Sequence, residues 1–135
     1  MKFQYTKIED LSLPSKNTYL ALIDINIGKL KIPVRCLIDS GSPITIIHSP
    51  LAVVAGYIPA DGQASQLFGI GGEPVAGYYH TIEMSFYGRM FKTTVFFSTD
   101  MRTPYCLLGQ FGFFDKFKIC FDLKNRIFEV DPKVK

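Results

Sequence analysis

The chain has 135 residues, of which 47% are hydrophobic, and carries a formal net charge of +3. This length suits one domain with a single core, and the content of 12 Phe and 7 Tyr is typical of a packed globule rather than a disordered chain. The basic residues are scattered and form no run interleaved with aromatic residues, which argues against a nucleic-acid partner.

The amino terminus and the hydropathy of the chain argue against a membrane location. The first ten residues include Glu9 and Asp10 and lack the apolar core of a secretory signal. No window approaches the roughly 18 consecutive apolar residues that a membrane helix needs. We therefore expect a cytoplasmic protein with no membrane partner.

Cysteine and histidine give no sign of a metal or redox centre. The cysteines Cys36, Cys106 and Cys120 lack CxxC spacing, and we predict that they are small buried residues. His48 and His80 do not stand in the spacing of a metal site or a catalytic triad. We therefore expect neither a metal nor a cofactor.

The amino-terminal part of the chain is predicted to be a lead-in followed by a β-hairpin. Residues 1–18 are polar and are assigned to the lead-in, and residues 19–131 to one domain. Apolar residues alternate with others from Tyr19 to Ile27, which predicts a strand with one buried face. Gly28-Lys29 predicts a two-residue turn, and the alternation resumes from Leu30 to Ile38.

The second predicted strand runs directly into the turn Asp39-Ser40-Gly41-Ser42. An unpaired carboxylate at the end of a buried strand is costly, so an acid in this position indicates a function. Gly41 allows a sharp turn because it lacks a Cβ atom. Turn chemistry alone also allows Asp39 to be a capping residue without any catalytic role.

Two further features follow this turn. A short buried strand is predicted over Ile44–Ile47, then a short helix with Ser49 as N-cap and Pro50 in its first turn, ended by Gly56. Three glycines surround one isoleucine in Gly69-Ile70-Gly71-Gly72, which predicts a flexible hairpin tip. The tip is either a simple turn or a mobile flap over a ligand. No GK[ST] motif follows, which argues against a nucleotide loop.

The rest of the chain is predicted to be mostly strands. Segment Tyr105–Gly109 repeats the pattern of an apolar strand that enters a glycine turn, and Gln110–Lys116 predicts a second short helix. The other predicted strands are Tyr78–Tyr87, Met90–Ser98, Phe117–Leu123 and Arg126–Val130. We therefore predict an all-β fold, a barrel or sandwich-like core with one or two short helices.

Three motifs resemble those of a known protein family. They are Leu37-Ile38-Asp39-Ser40-Gly41-Ser42, Gly69-Ile70-Gly71-Gly72 and Leu107-Leu108-Gly109, in this order. They are similar to the catalytic turn, the flap tip and the hydrophobic-hydrophobic-glycine motif of the retropepsin-like aspartic proteases, and closer to the cellular and prokaryotic single-domain members than to the viral ones. The resemblance covers residues 19–130. It implies a closed acid-protease β-barrel that acts as a two-fold homodimer without a cofactor.

The resemblance assigns the catalytic role to Asp39. Aspartic proteolysis needs two carboxylates that share one proton, so that one activates water and the other protonates the scissile carbonyl oxygen. This chain supplies one such acid, so Asp39 must meet the Asp39 of a second copy across a two-fold axis. Ser40 would tie the two turns together, Gly41 would bring its backbone close to the acid and the substrate, and Ser42 would donate to the outer carboxylate oxygen.

The other two motifs imply supporting roles. The tip made by Gly69, Ile70, Gly71 and Gly72 would cover bound peptide, with the Ile70 backbone N–H donating to it. Gly109 would let the second turn pack under Asp39, and Leu107 and Leu108 would be structural. Retroviral members carry an arginine after this glycine and an aspartate four residues after the catalytic one, where this chain has Gln110 and Pro43.

Three functions are therefore considered. The first is a homodimeric aspartic endopeptidase that cleaves extended peptide between apolar side chains. The second keeps the fold without the chemistry, as a catalytically silent dimeric module that binds peptide or serves as a scaffold, because fold does not guarantee function. The third is a monomeric β domain in which Asp39 only caps a turn.

Overall fold

The computed structural model describes residues 1–68, 72–100 and 103–133. Within these ranges, none of the helices is long and apolar enough to cross a membrane. The helical elements are α1 (Ser49–Val54) and a 3-10 turn (Pro59–Asp61). The strands are β1 (Lys2–Gln4), β2 (Thr6–Glu9), β3 (Asn17–Leu20), β4 (Leu22–Ile27), β5 (Val34–Ile38), β6 (Ile46–His48), β7 (Gln63–Phe68), β8 (Pro74–Phe86), β9 (Arg89–Ser98), β10 (Cys106–Leu108), β11 (Phe117–Asp122) and β12 (Ile127–Pro132).

The strands close into the predicted β-barrel. Its order is β4-β5-β10-β6-β9-β8, and the pairing of β4 with β8 closes the ring. Strand β7 extends the sheet beyond β8. Strands β8 and β9 form a regular hairpin whose turn has positive φ at Tyr87 (49°) and Gly88 (78°). Positive φ at both turn residues matches the right-handed twist of the strands that they join.

The barrel encloses one apolar core. Ile25 and Ile27 are 0% exposed, whereas the alternating residues Asp24 and Asn26 face solvent. This confirms the alternation predicted for the strand. Aromatic residues fill one end of the core. The ring of Phe113 stacks on Phe117 with 4.7 Å between centroids and meets Phe86 edge to face at 6.2 Å. Such pairs add stability beyond the area that they bury.

The helix predicted over Gln110–Lys116 is wrong, because this segment is a series of turns. The amides of Phe114 and Asp115 donate to carbonyls five residues earlier, and Gly112 has a φ of 102°. A left-handed residue interrupts a right-handed helix. Phe113 and Phe117 nevertheless both point into the core, which produces the helix-like spacing of aromatic residues.

The second predicted strand starts later than its alternation suggests. Strand β5 begins at Val34 instead of Leu30, and Ile32 is 73% exposed in the loop that precedes the strand. Pro33 cannot donate to a strand ladder because it has no backbone N–H, and this limits the pairing of β5 with β4. The register of Ile25 with Val34 marks the last pair of the hairpin.

The amino-terminal segment contains strands, and the start of the helix differs from the prediction. Residues 1–18 contain β1, which pairs with β12, and β2, which pairs with β3. Helix α1 begins at Ser49, and the N-cap position belongs to His48 without a side-chain hydrogen bond, so Ser49 is not the cap. The burial predicted for Cys36 and Cys106 is confirmed, whereas Cys120 is exposed on the outward face of β11.

Replacing Phe113 with alanine tests the aromatic end of the core. We expect Phe113→Ala to lower the free energy of unfolding by about 3–5 kcal/mol, because the ring is fully buried. Urea unfolding at one fixed protein concentration measures the change. The matched control is Phe121→Ala, at a side chain 45% exposed on β11, for which we expect a loss of less than about 1 kcal/mol. Equal losses in the two variants would contradict this description of the core.

Candidate active site

The parallel pairing of β5 with β10 brings the first and third motifs together. Leu37 is in register with Leu107, and Ile38 with Leu108. The backbone N–H of Asp39 donates to the carbonyl of Leu108 at 2.9 Å. The turns that begin at Asp39 and Gly109 therefore follow two adjacent parallel strands, β5 and β10, and lie side by side.

Backbone hydrogen bonds lock these two turns to each other. The amide of Gln110 donates to Ser42 O at 2.9 Å, and the amide of Phe111 donates to Pro43 O at 3.0 Å. A Cβ atom on Gly109 would lie 2.4 Å from Ile44 O and 2.7 Å from Ser42 O. Both obstacles are backbone atoms, so only glycine fits here. The predicted packing of the Gly109 turn against the turn of the acid is confirmed.

The carboxylate of Asp39 is oriented by its own turn. The N–H of Gly41 donates to Asp39 Oδ1 at 2.9 Å, and the N–H of Ser42 donates to Asp39 O at 3.1 Å. The predicted approach of the Gly41 backbone to the acid is thus confirmed. Asp39 is only half-buried, so its carboxylate borders open space.

The role predicted for the Ser42 hydroxyl is wrong. Ser42 Oγ donates its one hydrogen to the carbonyl of Ile44 at 2.7 Å, so that hydrogen is not available to the carboxylate of Asp39. Short polar side chains next to a turn commonly bond to the nearby backbone in this way. Ser42 is buried and stabilises the end of the turn.

Thr45 is a supporting residue that the sequence did not reveal. It is 0% exposed, and its Oγ1 accepts the N–H of Gly109 at 3.1 Å. Its backbone groups also bond to Phe111 O and to the amide of Phe96. In the sequence, the one feature that could have indicated this role is that Thr45 is a hydroxyl residue inside the apolar run of residues 44–47. Thr45 joins the strand after the turn of Asp39 to the second turn and to β9.

A cleft of about 700 Å³ lies between the turn of Asp39 and the β7–β8 hairpin. Asp39, Gly41 and Ser42 form one side of it, and Leu107 from the third motif joins them. Glu73 and Asp100 add two more carboxylates to the lining. The apolar residues of the lining are Pro43, Ile46, Leu67, Phe68, Pro74, Val75 and Leu107. The cleft therefore offers apolar surface next to one acid on a constrained turn.

In the sequence, the glycine motif stands between β7 and β8. The last described pair before it is Phe68 with Pro74, and Gly72 has a φ of 75°. The predicted hairpin is confirmed by these flanking strands. Gly69, Ile70 and Gly71 lie outside the described residues, so the roles predicted for them as a flap stay predictions.

Two buried thiols lie behind the site. Cys36 and Cys106 are in register on β5 and β10. Hydrogen bonding with Cys106 and burial raise the pKa of the Cys36 thiol, which keeps it neutral in the core. In the part of the chain that the structure describes, no group of three or more His, Cys, Asp or Glu side chains is placed to hold a metal ion.

Two solved structures resemble this fold. The retropepsin-like aspartic protease from Rickettsia conorii matches with a TM-score of 0.63 at 12% identity, over 98% of this chain and 91% of that one. EIAV protease in complex with the inhibitor HBY-793 matches with a TM-score of 0.55 at 19% identity, over 67% of this chain and 82% of that one. No family model matches the sequence, and no curated protein does. The chain has the retropepsin-like fold, as the three motifs predicted.

Exchanging a hydroxyl for a methyl group tests the support of the second turn. We expect Thr45→Val to lower the free energy of unfolding by about 1–3 kcal/mol, because it leaves the buried N–H of Gly109 without an acceptor. Thr93→Val is the matched control. Thr93 is 5% exposed and its Oγ1 has no partner among the described residues, so valine there should be neutral or stabilising. Chemical denaturation of both variants measures the difference, and a neutral Thr45→Val would contradict the role of Thr45.

Proposed function

We propose that this chain is an aspartic endopeptidase that acts as a homodimer, with one catalytic Asp39 from each subunit. The observation that carries the proposal is the constrained turn of Asp39, which opens on an apolar cleft in a retropepsin-like fold. A turn locked by backbone bonds holds its carboxylate in place before substrate binds, which is what general acid–base catalysis requires.

The number of suitable carboxylates supports the homodimer. The strand that mirrors β5 is β10, and the residue that follows it is Gly109, which carries no side chain. Glu73 and Asp100 also border the cleft, but they belong to the hairpin and to the segment after β9. Neither stands on a turn that is locked to that of Asp39. A two-fold axis supplies the second acid in the same setting as the first.

The proposed mechanism uses the two Asp39 side chains in different protonation states. The ionised carboxylate takes a proton from a water molecule, and the water oxygen forms a bond with the scissile carbonyl carbon. The protonated carboxyl gives its proton to the carbonyl oxygen. The tetrahedral intermediate then breaks its C–N bond as a proton passes to the leaving nitrogen. In each subunit the Gly41 N–H holds Oδ1, so Oδ2 is left to meet water and substrate.

The cleft supports an apolar and extended peptide as the substrate. Its lining is mainly apolar, and Leu67 and Val75 are in register on the same face of the β7–β8 hairpin. Phe68 is 68% exposed, so this side chain has surface left to bury against a bound chain. An extended peptide between hairpin and turn presents alternate side chains to such a lining.

The exchange of one carboxylate for an amide tests this proposal. We expect the wild type to cleave members of a diverse peptide library assayed from about pH 3.5 to 7.5, with a bell-shaped pH profile because one carboxylate must be ionised and one protonated. Asp39→Asn should lower kcat/KM by about 10²- to 10⁴-fold, which is the usual contribution of general acid–base catalysis. Mass spectrometry reads the products and gives the cleavage preference.

The control is Asp61→Asn, an exposed aspartate in the 3-10 turn, which should keep wild-type activity. Light scattering of each variant reports its oligomeric state. Folded dimers that cleave nothing would overturn the endopeptidase and leave the silent peptide-binding module. A protein that remains monomeric at high concentration would exclude the shared pair of acids and favour the capping role of Asp39.

A further inference from the structure

We infer that Gln110 is a positioning residue that orients the carboxylate of Asp39 through the peptide group between Ser40 and Gly41. This inference rests on the proposed function, because it assigns a role within the same site. It concerns a side chain that does not line the cleft and that no motif of the sequence includes.

Gln110 contacts the turn of Asp39 through both its side chain and its backbone. Its side-chain Nε2 donates to Ser40 O at 2.8 Å, and its backbone N–H donates to Ser42 O at 2.9 Å. One residue of the second turn thus holds two carbonyls of the first turn. The side-chain bond is the one that a substitution removes, because the backbone bond does not depend on residue type.

The peptide group between Ser40 and Gly41 also carries the donor to the acid. The carbonyl of Ser40 and the N–H of Gly41 belong to one planar unit, in which they point in opposite directions. The Gln110 amide bonds to the carbonyl end, and the N–H end donates to Asp39 Oδ1 at 2.9 Å. The result is a continuous chain of hydrogen bonds from Gln110 through one peptide to Asp39.

This chain of hydrogen bonds acts on the carboxylate of Asp39. A donor on the carbonyl oxygen polarises the peptide and strengthens its N–H as a donor, since linked hydrogen bonds are cooperative. It also fixes the rotation of the peptide plane. Both effects strengthen the hydrogen bond from the Gly41 N–H to Asp39 Oδ1 and hold the orientation of the carboxylate. Glu73 and Asp100 are the other charged groups of the described cleft, and they stay the same in the variants used below.

Kinetics of Gln110→Ala test the role while the dimer is intact. We expect kcat to fall about three- to tenfold, the effect of one net hydrogen bond, and KM to stay within about twofold because Gln110 does not line the cleft. Gln4→Ala, at an exposed glutamine on β1, should match the wild type.

A second variant separates the hydrogen bond from the space that the side chain fills. Gln110→Met keeps an unbranched side chain of similar length, but it has no donor for Ser40 O. Its kcat should therefore fall as far as that of Gln110→Ala. A role limited to filling space predicts a kcat near that of the wild type in Gln110→Met.

A spectroscopic readout independent of catalysis keeps this inference distinct from the proposed function. The ¹H resonance of the Gly41 amide, which donates to Asp39 Oδ1, should move upfield in Gln110→Ala, because the N–H becomes a weaker donor. An unchanged Gly41 resonance, or a wild-type kcat in Gln110→Ala, would overturn the role of Gln110. A wild type that cleaves no peptide, together with a Gly41 resonance that moves in Gln110→Ala, would overturn the proposed function alone.

Discussion

The parallel pairing of β5 with β10 is the constraint on which the rest of the site depends. It places the ends of two strands, distant in sequence, at the same edge of the barrel. The turn of Asp39 and the turn of Gly109 then share backbone hydrogen bonds, and a Cβ atom at Gly109 would not fit between them. Most of these links use backbone atoms, so they depend little on side-chain identity. This agrees with a fold shared at 12% identity.

The same arrangement explains why the proposed catalyst needs two subunits. The two turns are alike in position, but only one of them carries an acid, so in the proposed dimer each subunit would supply half of the catalytic pair. What the subunit does provide is orientation. Asp39 receives an N–H from Gly41, and the peptide that carries this N–H is held by Gln110. Fixing a reactive group before substrate binds avoids reorganisation during the reaction.

The sequence predicted the parts of the structure that depend on local patterns. Alternation around Ile25 and Ile27 located a strand, and the order of three short motifs located the fold. It failed at residues 110–116, where Phe113 and Phe117 have helical spacing but point into the core from turns. It also misassigned the hydroxyl of Ser42, because a nearby carbonyl competes for its hydrogen. Thr45 was missed since its partner is far away along the chain, and such contacts leave no local signal.

Subunit mixing tests the central claim, that two copies of Asp39 form one site. Wild-type protein is incubated with a ninefold excess of Asp39→Asn protein until subunits exchange, and the activity per wild-type subunit is measured. After random exchange, about one in ten wild-type subunits is paired with another wild-type subunit. The shared site therefore predicts that the activity per wild-type subunit falls to about a tenth of its starting value. The same excess of Asp61→Asn protein should cause no such loss. Activity that is unchanged after full exchange with Asp39→Asn protein would show that one Asp39 suffices and would contradict the account.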